Sequence, residues 1–378
     1  MPRRWNYALA LILGSLALCA VSHAQTYTVL YSFQGKQDGL EPYGGVIRDN
    51  NGNLYGVNFA GVIYEISPSG METTLHTLTY NEGQSSLSSL LFDRGGNLYG
   101  TAAEGSILNE GTVFVLTKTG NVGVLWAFGK KGPHKGFAPE SSLIRDDEGN
   151  LYGTAGNGGS TGGGTVFRID RKTGMKTVLY SFGFNPDGNF PTAPVMFGAN
   201  GDLYGTTEGG GTAGYGTIYD LDPTGAETIL YEFGGPPDGA SPVAGLVRDS
   251  EGNFYGTTAG GGTNNQGTVY KFDRRTGALT ILHSFGENPS DGVEPFGGVV
   301  ADPQGNLYGT TYLGGTSGYG TVFRLDPSGT VTILHSFTGQ EDGKWPYSGV
   351  TIDADSNLYG TTIKGGQIGY GAVFEVLH

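Results

Sequence analysis

The sequence predicts an all-β fold, a seven-bladed β-propeller of four-stranded antiparallel blades, and three observations carry that expectation. The first is a repeat. The stretch Gly305-Asn306-Leu307-Tyr308-Gly309-Thr310-Thr311 has six near-copies, which place its tyrosine at 55, 99, 152, 204, 255, 308 and 359. Self-similarity at about 50 residues marks one continuous repeat body rather than separate domains. The second is the content of a unit. In the sixth, Gly297 to Asp302, Asn306 to Thr311, Gly320 to Asp326 and Thr330 to Phe337 read as strands A, B, C and D, apolar or alternating, with no helical period between them. Repeated four-stranded meanders are the signature of a propeller. The third is the pair of chain ends. Thr26 to Phe33 is a D strand with nothing before it, and Gly371 to Leu377 is a C strand with nothing after it. Placing the N-terminal strand on the outer edge of the last blade closes the ring and leaves no blade incomplete. An open β-solenoid, the competing architecture, gives no reason for ends that complete each other.

The turns follow from local chemistry. Asp302-Pro303-Gln304-Gly305 joins A to B, and Asp326-Pro327-Ser328-Gly329 joins C to D, with proline where a tight turn wants a fixed φ and glycine where it needs a positive one. In a meander these turns share one face, and the longer B-C and D-A loops share the other. From the repeat tyrosine to the glycine that opens strand C is 12 residues in six units, as from Tyr204 to Gly216, but 6 in the first, Tyr55 to Gly61. A notch in the long-loop face is expected there.

Glycine makes up 70 of 378 residues, far above average usage of roughly 7%. Its recurrence at fixed offsets marks turns rather than disorder. Formal charge is −14, and −16 once a leader holding Arg3 and Arg4 and no acid is removed, which opposes nucleic acid and anionic lipid as partners. Residues 1–24 read as a secretory signal peptide: Arg3 and Arg4, then the apolar run Ala8 to Val21, then Ser22-His23-Ala24 before the cleavage point. The apolar run is short of the roughly 20 residues of a spanning helix, so no membrane span is expected in the mature protein. The single cysteine, Cys19, lies in the leader, so residues 25–378 form a domain without disulfides, suited to the periplasm or the medium.

The tandem combination of Leu203-Tyr204-Gly205-Thr206-Thr207 with Gly216-Thr217-Ile218-Tyr219, and of strand D with a following Asp-Gly, resembles the GloVer tandem-repeat proteins, an exported bacterial group with various C-terminal anchors. The resemblance covers essentially the whole mature chain. It implies export and carries no catalytic residue or ligand. The chain ends at His378 without an apolar tail or basic sorting segment, which favours release over surface anchoring.

Candidate chemistry is sparse. His76, His283 and His335 stand in the D-strand slot held elsewhere by Tyr31, Trp126, Tyr180 and Tyr231, and read as aromatic-slot variants. Only His134 is expected in a long-face loop, where it could act as a base. No HExxH, GxSxG or phosphate-loop motif occurs, and no histidine pair has metal-ligand spacing. The D-A loops carry Asp38, Asp187, Asp238, Asp291 and Asp342, each before glycine. These are turn residues, with calcium as the alternative, so no cofactor is expected.

Aromatic residues on the same loops point further. Tyr43, Phe296 and Tyr347 each follow a proline; Trp345 and Phe190 precede one, where other units have Glu41, Ala138, Ser241 and Glu294. Flat apolar rings beside acids hold sugars by stacking and hydroxyl hydrogen bonds, and the same rings serve equally as packing under the rim. The expected ligand site is the junction of first and last units, with Trp345, Tyr43, Tyr347 and Phe59 as its floor and Asp38, Glu41 and Asp342 at its margin. The leading expectation is a secreted, monomeric, non-catalytic protein that binds carbohydrate or another protein through the long-loop face. A polysaccharide lyase or glycosidase using loop carboxylates, and a structural surface or matrix repeat, are the alternatives.

Overall fold

The computed structural model describes residues 26–35, 37–129 and 136–377; the leader at 1–24, with Cys19 and His23, and also His134 and His378, lie outside the described residues. Every regular element described is a β-strand. Seven four-stranded antiparallel sheets form the blades of a propeller. In blade 6 strands A to D are Val300–Ala301, Leu307–Thr311, Thr321–Leu325 and Val331–Ser336. Blade 7 takes Thr351–Ile352, Leu358–Thr362 and Ala372–Leu377 from the end of the chain, and Thr26–Ser32 from its beginning. The register runs from Thr26 opposite Leu377 to Ser32 opposite Ala372, so the ring closes as the complementary ends predict.

Strand A is shorter than the sequence suggests. Its first half packs blade against blade at the centre of the ring instead of pairing within the blade. A Cβ on Gly297 would fall 2.2 Å from the Gly349 nitrogen, and one on Gly44 would fall 2.2 Å from the Ser88 carbonyl oxygen. Glycine is needed here for close approach of backbones, not for an unusual φ.

The repeat motif is spent on architecture, residue by residue. Leu307 is buried between blades, in a cluster with Val299, Phe323 and Leu325 of its own blade and Val269 and Phe285 of blade 5. The Tyr308 hydroxyl donates to Asp302 Oδ2 at 3.0 Å, tying strand B to the A-B turn. A Cβ on Gly309 would lie 2.8 Å from Phe323 Cζ, because the strand C ring lies across the glycine. Thr310 Oγ1 donates to the Ser348 carbonyl of the next blade at 2.7 Å, and Thr361 does the same to Gly44 across the closing junction at 3.1 Å. Each such clasp contributes about 1 kcal/mol. Blade 1 lacks it, since Val57 stands in the threonine position. Thr311 shares a hydrogen bond with Thr321 of strand C at 2.8 Å.

Four of the rings that cross this glycine are phenylalanine: Phe114, Phe167, Phe323 and Phe374. Blades 1, 4 and 5 have Tyr64, Tyr219 and Tyr270, fully buried, whose hydroxyls find no hydrogen-bond partner among the described residues. An unpaired buried hydroxyl costs about 1–3 kcal/mol. Tyr219→Phe should therefore raise the urea midpoint by the equivalent of about 1 kcal/mol, and a lowered midpoint would show that the hydroxyl is satisfied.

The D-strand histidines take the slot assigned to them. His283 and His335 oppose Val269 and Val322, as Tyr31 opposes Val373 and Tyr180 opposes Val166. Their Nε2 atoms lie 3.2 Å from Asp291 Oδ2 and 3.1 Å from Asp342 Oδ2, where the Tyr31 hydroxyl donates to Asp38 Oδ2 at 2.8 Å. Burial lowers the His335 pKa, with Asp342 opposing. His283→Tyr and His335→Tyr should therefore keep the melting temperature within the range of volume-conserving swaps, under about 1.5 kcal/mol; a larger loss in thermal unfolding would show that the imidazoles do more than fill the slot.

Candidate functional site

The long-loop face is stitched by its backbone. In blades 3 to 6 the D-A and B-C loops pair as two-residue ladders, such as Gly188–Asn189 with Gly209–Gly210, and in blades 2 and 7 as single bridges, Gln84 with Glu104 and Lys344 with Lys364. The residue before each loop proline has positive φ: Glu41 at 54°, Phe190 at 56° and Trp345 at 60°. Its N–H donates to the B-C loop of the preceding blade and its C=O accepts from its own blade. Thus Trp345 N donates to the Tyr319 carbonyl at 2.9 Å, while Ile363 N donates to the Trp345 carbonyl at 3.3 Å.

Blade 1 departs from this scheme because its B-C loop is short. Asn58, fully buried, fills the space: its Nδ2 donates to the Asp38 carbonyl at 2.8 Å, and its Oδ1 accepts from Val62 N at 3.1 Å. The bond that would run from Ser85 N to the end of this loop is absent among the described residues. The gap thus opens toward blade 2, whereas Trp345 flanks blade 6.

What joins the aromatic residues is the mouth of the central channel. Tyr43 lies 5.5 Å from Phe59 and 5.4 Å from Tyr347; Tyr347 stacks on Phe296 at 5.1 Å; Phe296 meets Tyr312 at 5.4 Å; and Tyr312 stacks on Trp345 at 6.0 Å. This is one continuous arc across blades 6, 7 and 1. Phe59, at one end, is 38% exposed. The Trp345 ring also carries Lys344 Nζ 4.6 Å from its centroid.

The margin acids have partners. Asp38 Oδ2 accepts from Tyr31 and from Gln34 N at 2.6 Å; Asp342 accepts from Thr338 N at 2.8 Å and Thr338 Oγ1 at 2.6 Å and meets His335; Glu41 pairs with Lys364. Asp187, Asp238 and Asp291 hold their own loops in the same way, each in its own blade. Among the described residues no group of three or more histidines, cysteines or acids is placed to hold a metal ion.

Two acids that spacing did not single out line the mouth. The position after the loop proline is Tyr43, Phe296 and Tyr347 on the aromatic side, Thr192 and Val243 in blades 4 and 5, and Glu140 in blade 3, with Leu87 at the equivalent place in blade 2 after Ser86. Glu208 stands four residues after Tyr204 in blade 4, at the position equivalent to Phe59 and Tyr312. In a ring of seven, blades 3 and 4 face blade 7. Together with Tyr43, Phe296 and Tyr347 they line a cavity of about 460 Å³ that runs into the channel along the A strands. Half-burial, with Glu208 nearby, holds the Glu140 carboxyl above the usual carboxylate range; Glu208 is an exposed residue, and partial desolvation at the cavity pushes its carboxyl the same way. Burial, then the charges of these two acids, push the Tyr347 phenol up.

A family model for the Gloeobacter/Verrucomicrobia repeat matches residues 17–196, 57–256 and 247–377. The chain belongs to this repeat family. Among curated proteins none matches it. This Gloeobacter/Verrucomicrobia repeat protein is similar in fold to the extracellular domain of a one component system of B. thetaiotaomicron, with TM-score 0.58 and 11% identity over 93% of this chain and 40% of that one. The extracellular domain of a hybrid two component system of the same organism gives TM-score 0.58 and 14% identity over 93% and 41%. A GH74 xyloglucanase from Xanthomonas campestris gives 0.60 and 16% over 92% and 53%. The repeat protein thus spans about two fifths to one half of these chains, and what they share with it is the fold. Among the described residues of the repeat protein no helix is long and apolar enough to cross a membrane.

Proposed function

We propose that this chain is an exported, non-catalytic binding protein that holds carbohydrate at the mouth of its central channel. The observation that supports the reading most is the aromatic arc facing Glu140 and Glu208 across a cavity of about 460 Å³, a size within the roughly 300–1,000 Å³ of small-ligand sites. Tyr43, Tyr347 and Phe296 offer apolar surface for the C–H side of a sugar, and the carboxylates accept from its hydroxyls. Trp345, Phe59 and Glu41 extend the surface outward, while Asp38 and Asp342 hold the loops that carry it. Signal peptide, release and monomeric state belong to this proposal.

The test is calorimetric titration of residues 25–378 with neutral and acidic glycans, repeated with Tyr347→Ala, Tyr43→Ala and Trp345→Ala. A ring that stacks contributes about 0.5–1.5 kcal/mol, so each change at the site should weaken a neutral glycan about two- to tenfold with the melting temperature kept. Binding that survives all three changes would place the ligand elsewhere. The Glu140 and Glu208 pair also favours a second reading, hydrolysis of a glycoside by two carboxylates. Reducing ends released by the native chain and by neither Glu140→Gln nor Glu208→Gln would establish it.

A further inference from the structure

We propose that the carbohydrate held at the channel mouth carries a protonated amine, its ring seated on the aromatic arc and its ammonium placed between Glu140 and Glu208. The inference rests on the carbohydrate reading and narrows it to amino sugars with a free amine. Three observations support it.

The two rings of equivalent positions, after the loop proline and four residues after the repeat tyrosine, carry charge at Glu140 and Glu208 alone. Both sit on the same side of the mouth, in adjacent blades, and both charges reach Tyr347. A neutral sugar needs hydrogen-bond acceptors there, which uncharged side chains also supply, and gains nothing from two charges.

Neither carboxylate makes a hydrogen bond or ion pair with any described residue. Three other long-face acids do: Glu41 with Lys364, Glu82 with Thr79 and His76, and Glu104 with Ser85 Oγ at 2.8 Å, whereas Glu294, outside the cavity lining, does not. Two acids that repel one another without a described partner, one of them half-buried, are costly to keep charged. A cation between them offsets both the desolvation and the repulsion, and among the described residues no lysine or arginine lines the cavity to do so.

The third observation is the pairing of chemistries across the cavity. An ammonium facing carboxylates makes charge-assisted hydrogen bonds, and electron-rich ring faces tolerate a nearby cation. The arc spans several rings, wider than an isolated ammonium needs and matched to a flat saturated ring. The chain's charge of −14 draws such a ligand in.

The experiment uses two tetrasaccharides of the same β-1,4 geometry, cellotetraose and its fully deacetylated 2-amino counterpart, at a pH where the amine is charged, with tetralysine as a cation that lacks a sugar ring. The native chain should bind the amino tetrasaccharide about tenfold or more tighter than cellotetraose. In the Glu140→Gln, Glu208→Gln double variant that preference should fall to about one, the amino tetrasaccharide losing more affinity than cellotetraose. Equal affinity for the two sugars, or a preference that survives the double variant, overturns the inference and leaves the carbohydrate reading intact if Tyr347→Ala still weakens cellotetraose. Binding of neither sugar overturns both, and tetralysine binding tighter than either sugar replaces the glycan with a basic peptide. A melting temperature equal to that of the native chain shows that the double variant is folded.

Discussion

A chain that begins after residue 33 should fail to form a stable monomeric ring. The lost segment supplies the whole D strand of blade 7, six ladder pairs from Thr26 opposite Leu377 to Ser32 opposite Ala372. It also removes Phe33, fully buried and edge-on to Tyr64 at 5.0 Å. Tyr27 goes too: it stacks on His335 at 3.7 Å and donates to the Asp342 carbonyl at 2.5 Å. Truncating one buried aromatic costs about 3–5 kcal/mol, so two with their ladder approach the roughly 5–15 kcal/mol stability of a domain. The exposed edge of Ala372–Leu377 becomes a template for other chains. Calorimetry should show the cooperative transition lost or lowered by tens of degrees, and light scattering should show association. An unchanged melting temperature with a monodisperse monomer would falsify closure by this strand.

The second large effect is expected from the smallest substitution. Gly297 has no positive φ, so alanine suits its backbone and should ordinarily stabilise by about 0.4–1 kcal/mol through the unfolded state. Its Cβ, however, would sit 2.2 Å from the Gly349 nitrogen and 2.5 Å from the Ser348 carbonyl carbon. Backbone cannot rotate away as a side chain can, so blades 6 and 7 must separate. That motion also strains the Thr257 clasp on the Gly297 carbonyl, now 3.0 Å. Overpacking costs about 1–3 kcal/mol where side chains can adjust; Gly297→Ala should reach or exceed the top of that range in denaturant unfolding. Gly329→Ala is the contrasting control, with its nearest atom 3.8 Å away but φ at +89°, so its loss reports turn strain alone. If Gly297→Ala proves neutral, the blades are not in close backbone contact at the channel.

The fold was legible because each unit repeats its own instructions in register. Asp302-Pro303-Gln304-Gly305 could be read as a turn without knowing what surrounds it, and the matching ends needed no contact information. The length of strand A is not legible, because a run such as Gly297-Gly298-Val299 looks the same whether it pairs within a blade or packs against the next. The site was legible in part. Tyr43 and Tyr347 stand out beside their prolines, and the structure brings both together with Phe59. Glu140 and Glu208 did not, because they occupy two different offsets in two different units, and only ring closure turns them toward Tyr347. Reading down the post-proline column would have shown Glu140 as its one charge. The plugging of the short loop by Asn58 was not legible, since one amide replacing both a threonine and a longer loop has no pattern.

The backbone stitching of the long-loop face separates grammar from vocabulary. At each residue before a loop proline, the N–H and the C=O make the contacts, and the positive φ is met equally by Glu41, Ala138, Phe190 and Trp345. The frame therefore does not inspect the side chain it carries. Six such positions, with the post-proline residues beside them, form a surface on which ligand preference can be rewritten one letter at a time while the ring beneath keeps its shape.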